Sequence, residues 1–273
     1  MPQQSRIARE SMPGILKQRR KVKVAVRDTA EWGAWMAGDL LLLPGLLCDG
    51  RLWRDQAAGL AGVARVVIAD LTLDDSVDAM ARRALAAMPG HFALCGLSMG
   101  GYVALAIMRL APERVSRLCL MDTSAAPDSP TQAARRRALM RQLADKSLHF
   151  RGVTPRLLPS LLHPDRLGDA VLAGEVTAMA ERVGRAAFLR QQTAILTRPD
   201  SRPGLPATGV STLVAVGAGD KLTPPAQARE IAALIAGARL EILPGCGHLP
   251  PLESPQRVTA LLHAWVAPSA PDA

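Results

Sequence analysis

The pentapeptide Gly96-Leu97-Ser98-Met99-Gly100 constrains this chain more than any other feature. It follows an apolar run, Phe92-Ala93-Leu94-Cys95, and precedes another, Gly101 to Met108, that stops short of Pro112. The first run reads as a buried strand and the second as a buried helix ended by the coming proline. Glycines two positions before and after Ser98 leave room for a tight, strained turn against neighbouring backbone. A serine hydroxyl is a poor nucleophile until it is exposed, oriented and paired with a base. A G-x-S-x-G turn from strand to helix supplies the first two conditions. The competing reading is a glycine-rich turn whose serine is idle. A base and an acid at other strand ends would separate the two.

Strands alternate with helices along most of the chain. Leu40–Leu43 reads as a buried strand ending at Pro44-Gly45, and Val63–Ala69 as another, followed by Asp70. Residues 76–88 read as a helix capped by Asp75 or Ser76. Leu118–Met121 is a strand ending at Asp122. Residues 127–205 break the alternation and read as several short helices, punctuated by Pro155, Pro159, Pro164 and the loop 198–204. It resumes with the strand Thr212–Val216, a helix from about Pro224 capped by Thr223, the strand Leu240–Leu243, and a last helix after Ser254-Pro255. Buried strands alternating with helices predict an α/β fold with a mainly parallel sheet covered by helices on both faces. A chain of 273 residues can bury one sizeable core with a small insert.

Composition removes several function classes. Aromatic residues make up 3% of the chain, too few for base-stacking platforms. The net charge of +9 is concentrated in two places: residues 1–35 carry +5 and residues 127–205 carry +6, against −2 for the remainder. No nucleic-acid-binding motif accompanies that charge, so most of it reads as solvated helix faces. No apolar run approaches the length of a bilayer span, and the basic start of the chain has no secretory apolar core. The expectation is a cytoplasmic protein with no membrane and no nucleic-acid partner. Of the four cysteines, Cys95 and Cys119 lie in apolar runs and read as core filler, and Cys48 and Cys246 as packing residues. None has metal-ligand spacing, so no metal and no cofactor is expected. Residues 1–35 show little apolar periodicity beyond Val22, Val24 and Val26. They read as a poorly ordered extension, and Met36 could open a shorter chain.

Reactive groups in an open parallel sheet gather outside the carboxyl ends of its strands. Among five histidines, His91 precedes a strand, His149 and His163 fall in the middle segment, and His263 lies inside the last helix. Only His248 follows a strand, in Cys246-Gly247-His248. Asp220 follows the strand before it, in Gly217-Ala218-Gly219-Asp220. Histidine suits a general base because it titrates near neutrality, and an acid must hold its tautomer and stabilise its charged form. Asp122 competes with Asp220 for that place, because it also ends a strand on the same side; its plainer reading is a turn or cap aspartate.

The order Ser98, Asp220, His248 resembles that of the α/β-hydrolase fold family, and the similarity covers roughly residues 38–267. Gly217 to Pro224 resembles the family's acid loop, and Gly247-His248 with Glu253 and Pro255 its histidine loop. Leu42-Leu43-Pro44-Gly45-Leu46 occupies the place of its His-Gly oxyanion loop, with proline at position 44 where the family has histidine. The resemblance implies an oxyanion hole formed by the backbone N–H groups of Leu46 and Met99. It also implies a core of residues 36–126 and 206–273, with residues 127–205 inserted as a helical cap. The activity implied is hydrolysis of small-molecule carboxylic esters through an acyl-enzyme. Enol-lactone or carbon–carbon bond hydrolysis, acyl transfer or perhydrolysis, and a non-catalytic ligand receptor share the fold. A serine at position 98 argues against dehalogenases, which place aspartate there. Arg198 and Arg202 lie where the chain returns from insert to sheet and are candidate substrate-binding residues. If the insert's charge faces the cleft, an ester or lactone bearing a carboxylate is the favoured substrate.

Overall fold

The computed structural model describes residues 38–267 except 146 and 148. The expected short strand at Val22, Val24 and Val26, the extension to residue 35 and the start at Met36 lie outside the described residues. Six strands, β1 (Asp39–Leu43), β2 (Arg65–Ile68), β3 (Phe92–Leu97), β4 (Val115–Met121), β5 (Ser211–Gly217) and β6 (Arg239–Leu243), form one sheet in the order β2-β1-β3-β4-β5-β6. Every pairing is parallel. A parallel strand needs a crossover to its neighbour, and helices supply it. They are α1 (Arg54–Leu60), α2 (Val77–Ala87), α3 (Met99–Leu110), α4 (Pro130–Ala144), α5 (Leu158–Leu161), α6 (Ala170–Thr197), α7 (Pro225–Leu234), α8 (Pro250–Glu253) and α9 (Pro255–Val266).

Alternation along β1 divides the core. Leu40 and Leu42 join an apolar cluster with Trp53, Leu60, Val258 and Leu262 on one face; Leu41 and Leu43 join Met80, Val103, Ile107 and Ile231 on the other. All four leucines are fully buried. Each contributes about 1.5–3 kcal/mol by leaving water, which is why a four-leucine run serves as a central strand. Two local expectations resolve cleanly. Ser76, not Asp75, caps α2, its hydroxyl accepting from Ala79 N–H at 3.2 Å. α3 ends at Leu110, before Pro112.

Two others need correction. Thr223 does not cap α7: the capping position falls on Pro224 without a side-chain bond, and the Thr223 hydroxyl instead donates to Asp220 at 2.6 Å. The stretch between β4 and β5 is not a set of short helices alone. α4 runs for 15 residues and α6 for 28, the latter kinked where Gly184 takes φ 74°. Prolines cluster before α6 and after it, and its interior is free of them, so nothing breaks its hydrogen-bond ladder except that glycine.

Candidate active site

Ser98 sits where β3 turns into α3, at φ 55° and ψ −117°. Positive φ costs a non-glycine residue steric strain, and such strain survives only where the surroundings enforce it. The surroundings here are backbone. A Cβ on Gly96 would overlap the Gly100 carbonyl, and one on Gly100 would overlap the carbonyls of Leu43 and Pro44. The two glycines of the pentapeptide are therefore what let β1, β3 and α3 close around the turn. Thr123 holds the Ser98 carbonyl at 2.7 Å, and the Ser98 N–H donates to the Met121 carbonyl at 3.0 Å.

The loops after β5 and β6 bring Asp220 and His248 to this serine. His248 Nε2 lies 2.9 Å from Ser98 Oγ, and His248 Nδ1 lies 2.8 Å from Asp220 Oδ2. Asp220 also accepts the Leu222 and Thr223 N–H groups, at 2.8 and 3.1 Å, and the Thr223 hydroxyl. Burial pushes the Asp220 carboxyl up, but its bonds to His248 and Thr223 outweigh burial and hold it below the ordinary carboxylate range. An ionised Asp220 fixes the proton of His248 on Nδ1, which leaves Nε2 as an acceptor facing the Ser98 hydroxyl.

Asp122 is fully buried at the end of β4, with one oxygen accepting the Gly217 N–H at 2.8 Å. Its other oxygen is enclosed and has no partner among the described residues. A carboxylate oxygen of Asp122, one of Asp220 and a ring nitrogen of His248 all lie within 4.8 Å of one another. Burial, then the neighbouring Asp220 charge, pushes the Asp122 carboxyl well above the ordinary range. Two such close carboxyl groups resist ionising together, so the proton is favoured on Asp122 and the charge on Asp220. Both aspartates that the sequence offered are thus at the site, their carboxyls shifted in opposite directions.

Leu46 lies in the loop after β1 and lines the same cleft as Ser98. Met99 is the first residue of α3, so its N–H has no partner within the helix. Next to Leu46, Leu47 takes φ 59°, and its N–H donates to Gln191 Oε1 of α6 at 3.1 Å. Gln191 Nε2 in turn donates to the Leu71 carbonyl at 3.1 Å. Glu253 brackets the histidine: its buried carboxylate accepts from Gly247 N–H and Leu249 N–H at 2.9 and 3.0 Å, and from His163 N–H at 2.7 Å. His248 N–H donates to the Leu161 carbonyl of α5 at 2.8 Å. Gln191 and the role of Thr223 are absent from the reading of the sequence. A pair of glutamines on an otherwise apolar helix face was the available signal for the first.

The arginines stand elsewhere. Arg198 is buried, bonded to Asp128 at 2.9 Å and to the carbonyls of Ile195 and Ala126, with its guanidinium 4.2 Å from the centre of the Tyr102 ring. Arg202 is engaged by Asp200 and Glu230 on the surface. Neither is among the residues lining the cavity at Ser98. Cys48 and Cys246 are buried free thiols, each pushed up to about 12, mainly by burial. Neither carries the thiolate a nucleophile needs.

A cavity of about 450 Å³ opens over Ser98 and His248. Its walls are mostly apolar, with Leu97, Leu143, Val176, Met179, Phe188 and Leu249 among them. The exposed leucines 139, 157 and 222 also line it.

A profile of the alpha/beta hydrolase family matches residues 40–261. The chain belongs to that family. Among its relatives, a pimeloyl-[acyl-carrier protein] methyl ester esterase of Aromatoleum aromaticum is 29% identical over 250 residues, covering 82% of this chain and 96% of the relative. A polyketide synthase of Burkholderia thailandensis is 30% identical over 238 residues, which span 77% of this chain and 11% of the synthase. In structure, a thermophilic esterase from Thermogutta terrifontis superposes with a TM-score of 0.77 at 29% identity, covering 85% of this chain and 90% of the esterase. An enol-lactonase from Burkholderia xenovorans shares the fold, with a TM-score of 0.74 at 24% identity over 84% and 91% of the two chains. As an alpha/beta hydrolase this protein is an enzyme. No helix among its described residues is long and apolar enough to cross a membrane.

Proposed function

We propose that this enzyme hydrolyses small carboxylic esters through a Ser98–His248–Asp220 triad. The observation that carries the reading is the unbroken relay from Asp220 Oδ2 through both ring nitrogens of His248 to Ser98 Oγ, set at the floor of an apolar cavity. His248 takes the Ser98 proton as Oγ attacks the ester carbonyl. The oxyanion forms at the N–H groups of Leu46 and Met99, each worth about 3–4 kcal/mol of transition-state stabilisation. The histidine's proton goes to the departing alkoxide, leaving an acyl-serine and a free alcohol. Water then attacks the acyl-serine, giving its proton to His248, and the carboxylic acid leaves as Ser98 recovers its proton.

Residues 127–205 serve in this reading as a cap over the cleft. Two observations support it: α4 and α6 contribute Leu139, Leu143, Val176 and Met179 to the cavity wall, and Leu161 and His163 bond the histidine loop. The esters named for the curated relatives and the esterase structure at 29% identity favour an ester over other acyl substrates. The test is an organophosphonate or sulfonyl fluoride read by intact mass, alongside turnover of a panel of esters and lactones. Single-site labelling that Ser98→Ala abolishes, together with ester turnover, is expected. Label at the wild-type level on Ser98→Ala would remove Ser98 from the mechanism, and turnover of lactones alone would move the substrate class.

A further inference from the structure

Beyond Ser98 and His248, the cavity wall includes a polar group whose orientation is enforced from behind. Gln192, on α6, is 2% exposed and lines the cavity. Its Oε1 accepts from Arg136 Nη1 at 2.5 Å. Arg136 is held in turn by Asp128, which accepts its Nε at 2.8 Å and is itself held by Arg198. A guanidinium is only ever a donor, so the amide cannot flip: the oxygen faces Arg136 and the NH₂ faces away from it. Among the described residues that NH₂ has no partner. It is also not one of the fully enclosed unpaired atoms such as Trp53 Nε1 and Trp265 Nε1, and its residue lines the cavity. A donor fixed in an apolar wall leaves a hydrogen bond unmade whenever a hydrocarbon fills the space beside it.

We propose that Gln192 is a specificity residue whose Nε2 donates to a second oxygen acceptor on the substrate, so that the preferred esters carry a carbonyl or similar acceptor on the chain that enters the cavity. The inference rests on the ester-hydrolase reading for which oxygen is the reacting one, but the hydrogen bond itself can be read by binding alone. The neighbouring Gln191 points instead to Leu47 and Leu71, so two consecutive glutamines of one helix divide the work: one steadies the loop that offers Leu46, the other meets the substrate.

The probes are methyl heptanoate and its 4-, 5- and 6-oxo derivatives, with hexyl acetate and 5-oxohexyl acetate as the alcohol-side pair. Dissociation constants are measured on full-length Ser98→Ala protein, with and without Gln192→Leu and Gln192→Glu, and kcat/KM on the corresponding proteins that keep Ser98. At least one oxo ester should bind about five- to tenfold tighter than its parent, the gain of one hydrogen bond to a donor otherwise left unpaired. Both Gln192 variants should bring that ratio to about one. Gln192→Glu can still accept from Arg136 but offers no N–H, so it separates a lost donor from a disturbed fold. Equal binding of every oxo ester and its parent, or an oxo preference that survives both variants, overturns the proposal. A preference in binding without any turnover by the wild-type protein would uphold Gln192's role and break the ester-hydrolase reading instead.

Discussion

The loops at the strand ends and the helices between β4 and β5 spend their polar side chains differently. At the strand ends, buried polar groups converge on one point. Ser98, His248 and Asp220 form the relay, Thr223 braces Asp220, and Glu253 braces the histidine loop. In the helical segment, many charged groups pair with each other or clasp the core. Arg136 and Arg198 meet on Asp128, Arg166 bonds Asp169, Arg182 reaches Asp49, and Glu175 is held by Arg51. The positive charge that this segment carries is therefore a poor guide to the cleft. Its useful polar contributions are two neutral amides, Gln191 and Gln192.

The comparison is tested most sharply within the strand-end site, where two aspartates are shifted in opposite directions. Asp220→Asn should lower kcat by about 10⁴-fold, because the amide favours the wrong histidine tautomer. Asp122→Asn should stay within a few-fold of wild type, since an amide reproduces a protonated carboxyl that accepts from Gly217 and faces Asp220. A larger loss for Asp122→Asn than for Asp220→Asn would transfer the acid role to Asp122. The two also differ in their effect on stability with pH. A raised folded-state pKa means the native protein holds a proton that the unfolded chain has released above the ordinary carboxylate range. Stability from Asp122 is thus full below that range and declines as pH rises toward its folded value. With Asp220, Glu253 and His248 as the neighbouring titratable groups, urea unfolding at pH 5 and pH 8 should show Asp122→Asn gaining on wild type at the higher pH.

The next effect concerns the clasp between segment and core. Gln191→Leu removes the acceptor of the Leu47 N–H and the donor to the Leu71 carbonyl, leaving two buried backbone groups unpaired. A cost of about 1–3 kcal/mol is expected in urea unfolding. kcat should fall as well, because Leu47 adjoins Leu46, the proposed oxyanion donor. A drop in stability with unchanged kcat would make Gln191 a purely structural residue.

Much of this site was legible in the chain because parallel strands announce their own ends. A short apolar run followed by glycine and a polar residue marks a carboxyl end, and Ser98, Asp220 and His248 each sit at one. The elbow's glycines were readable for the same reason: the turn leaves no room for another Cβ. What escaped is what depends on partners far away in sequence. Thr223 before Pro224-Pro225 has the signature of a helix cap, yet the cap position falls on Pro224, and Asp220 accepts both the hydroxyl and the N–H of Thr223. Arg198 and Arg202 follow the last helical turn of the insert, a place open to substrate in sequence terms, but Asp128 and Asp200 lie close enough to claim them. Gln191 and Gln192 have partners 144 and 56 residues away, and no local pattern reports those.

The smallest expected effect decides whether any of the segment's charge reaches substrate. Arg198 and Arg202 are paired, so Arg198→Met should reduce stability and Arg202→Ala should change little, with neither altering the preference between a neutral ester and its carboxylate-bearing analogue. Arg151 is different: it is exposed and lines the cavity, and no acid among the described residues pairs with it. It should favour the anionic analogue by about twofold, the size of one exposed ion pair. That preference should fade between 0.01 and 0.15 M salt, as the screening length falls from about 30 to about 8 Å. Arg151→Ala should abolish it at low salt. A preference far above twofold, or one that persists in 0.15 M salt and survives Arg151→Ala, would mean that the helical segment presents charge to the cleft in a way its ion pairs do not suggest, and the contrast between the two regions would fail at that point.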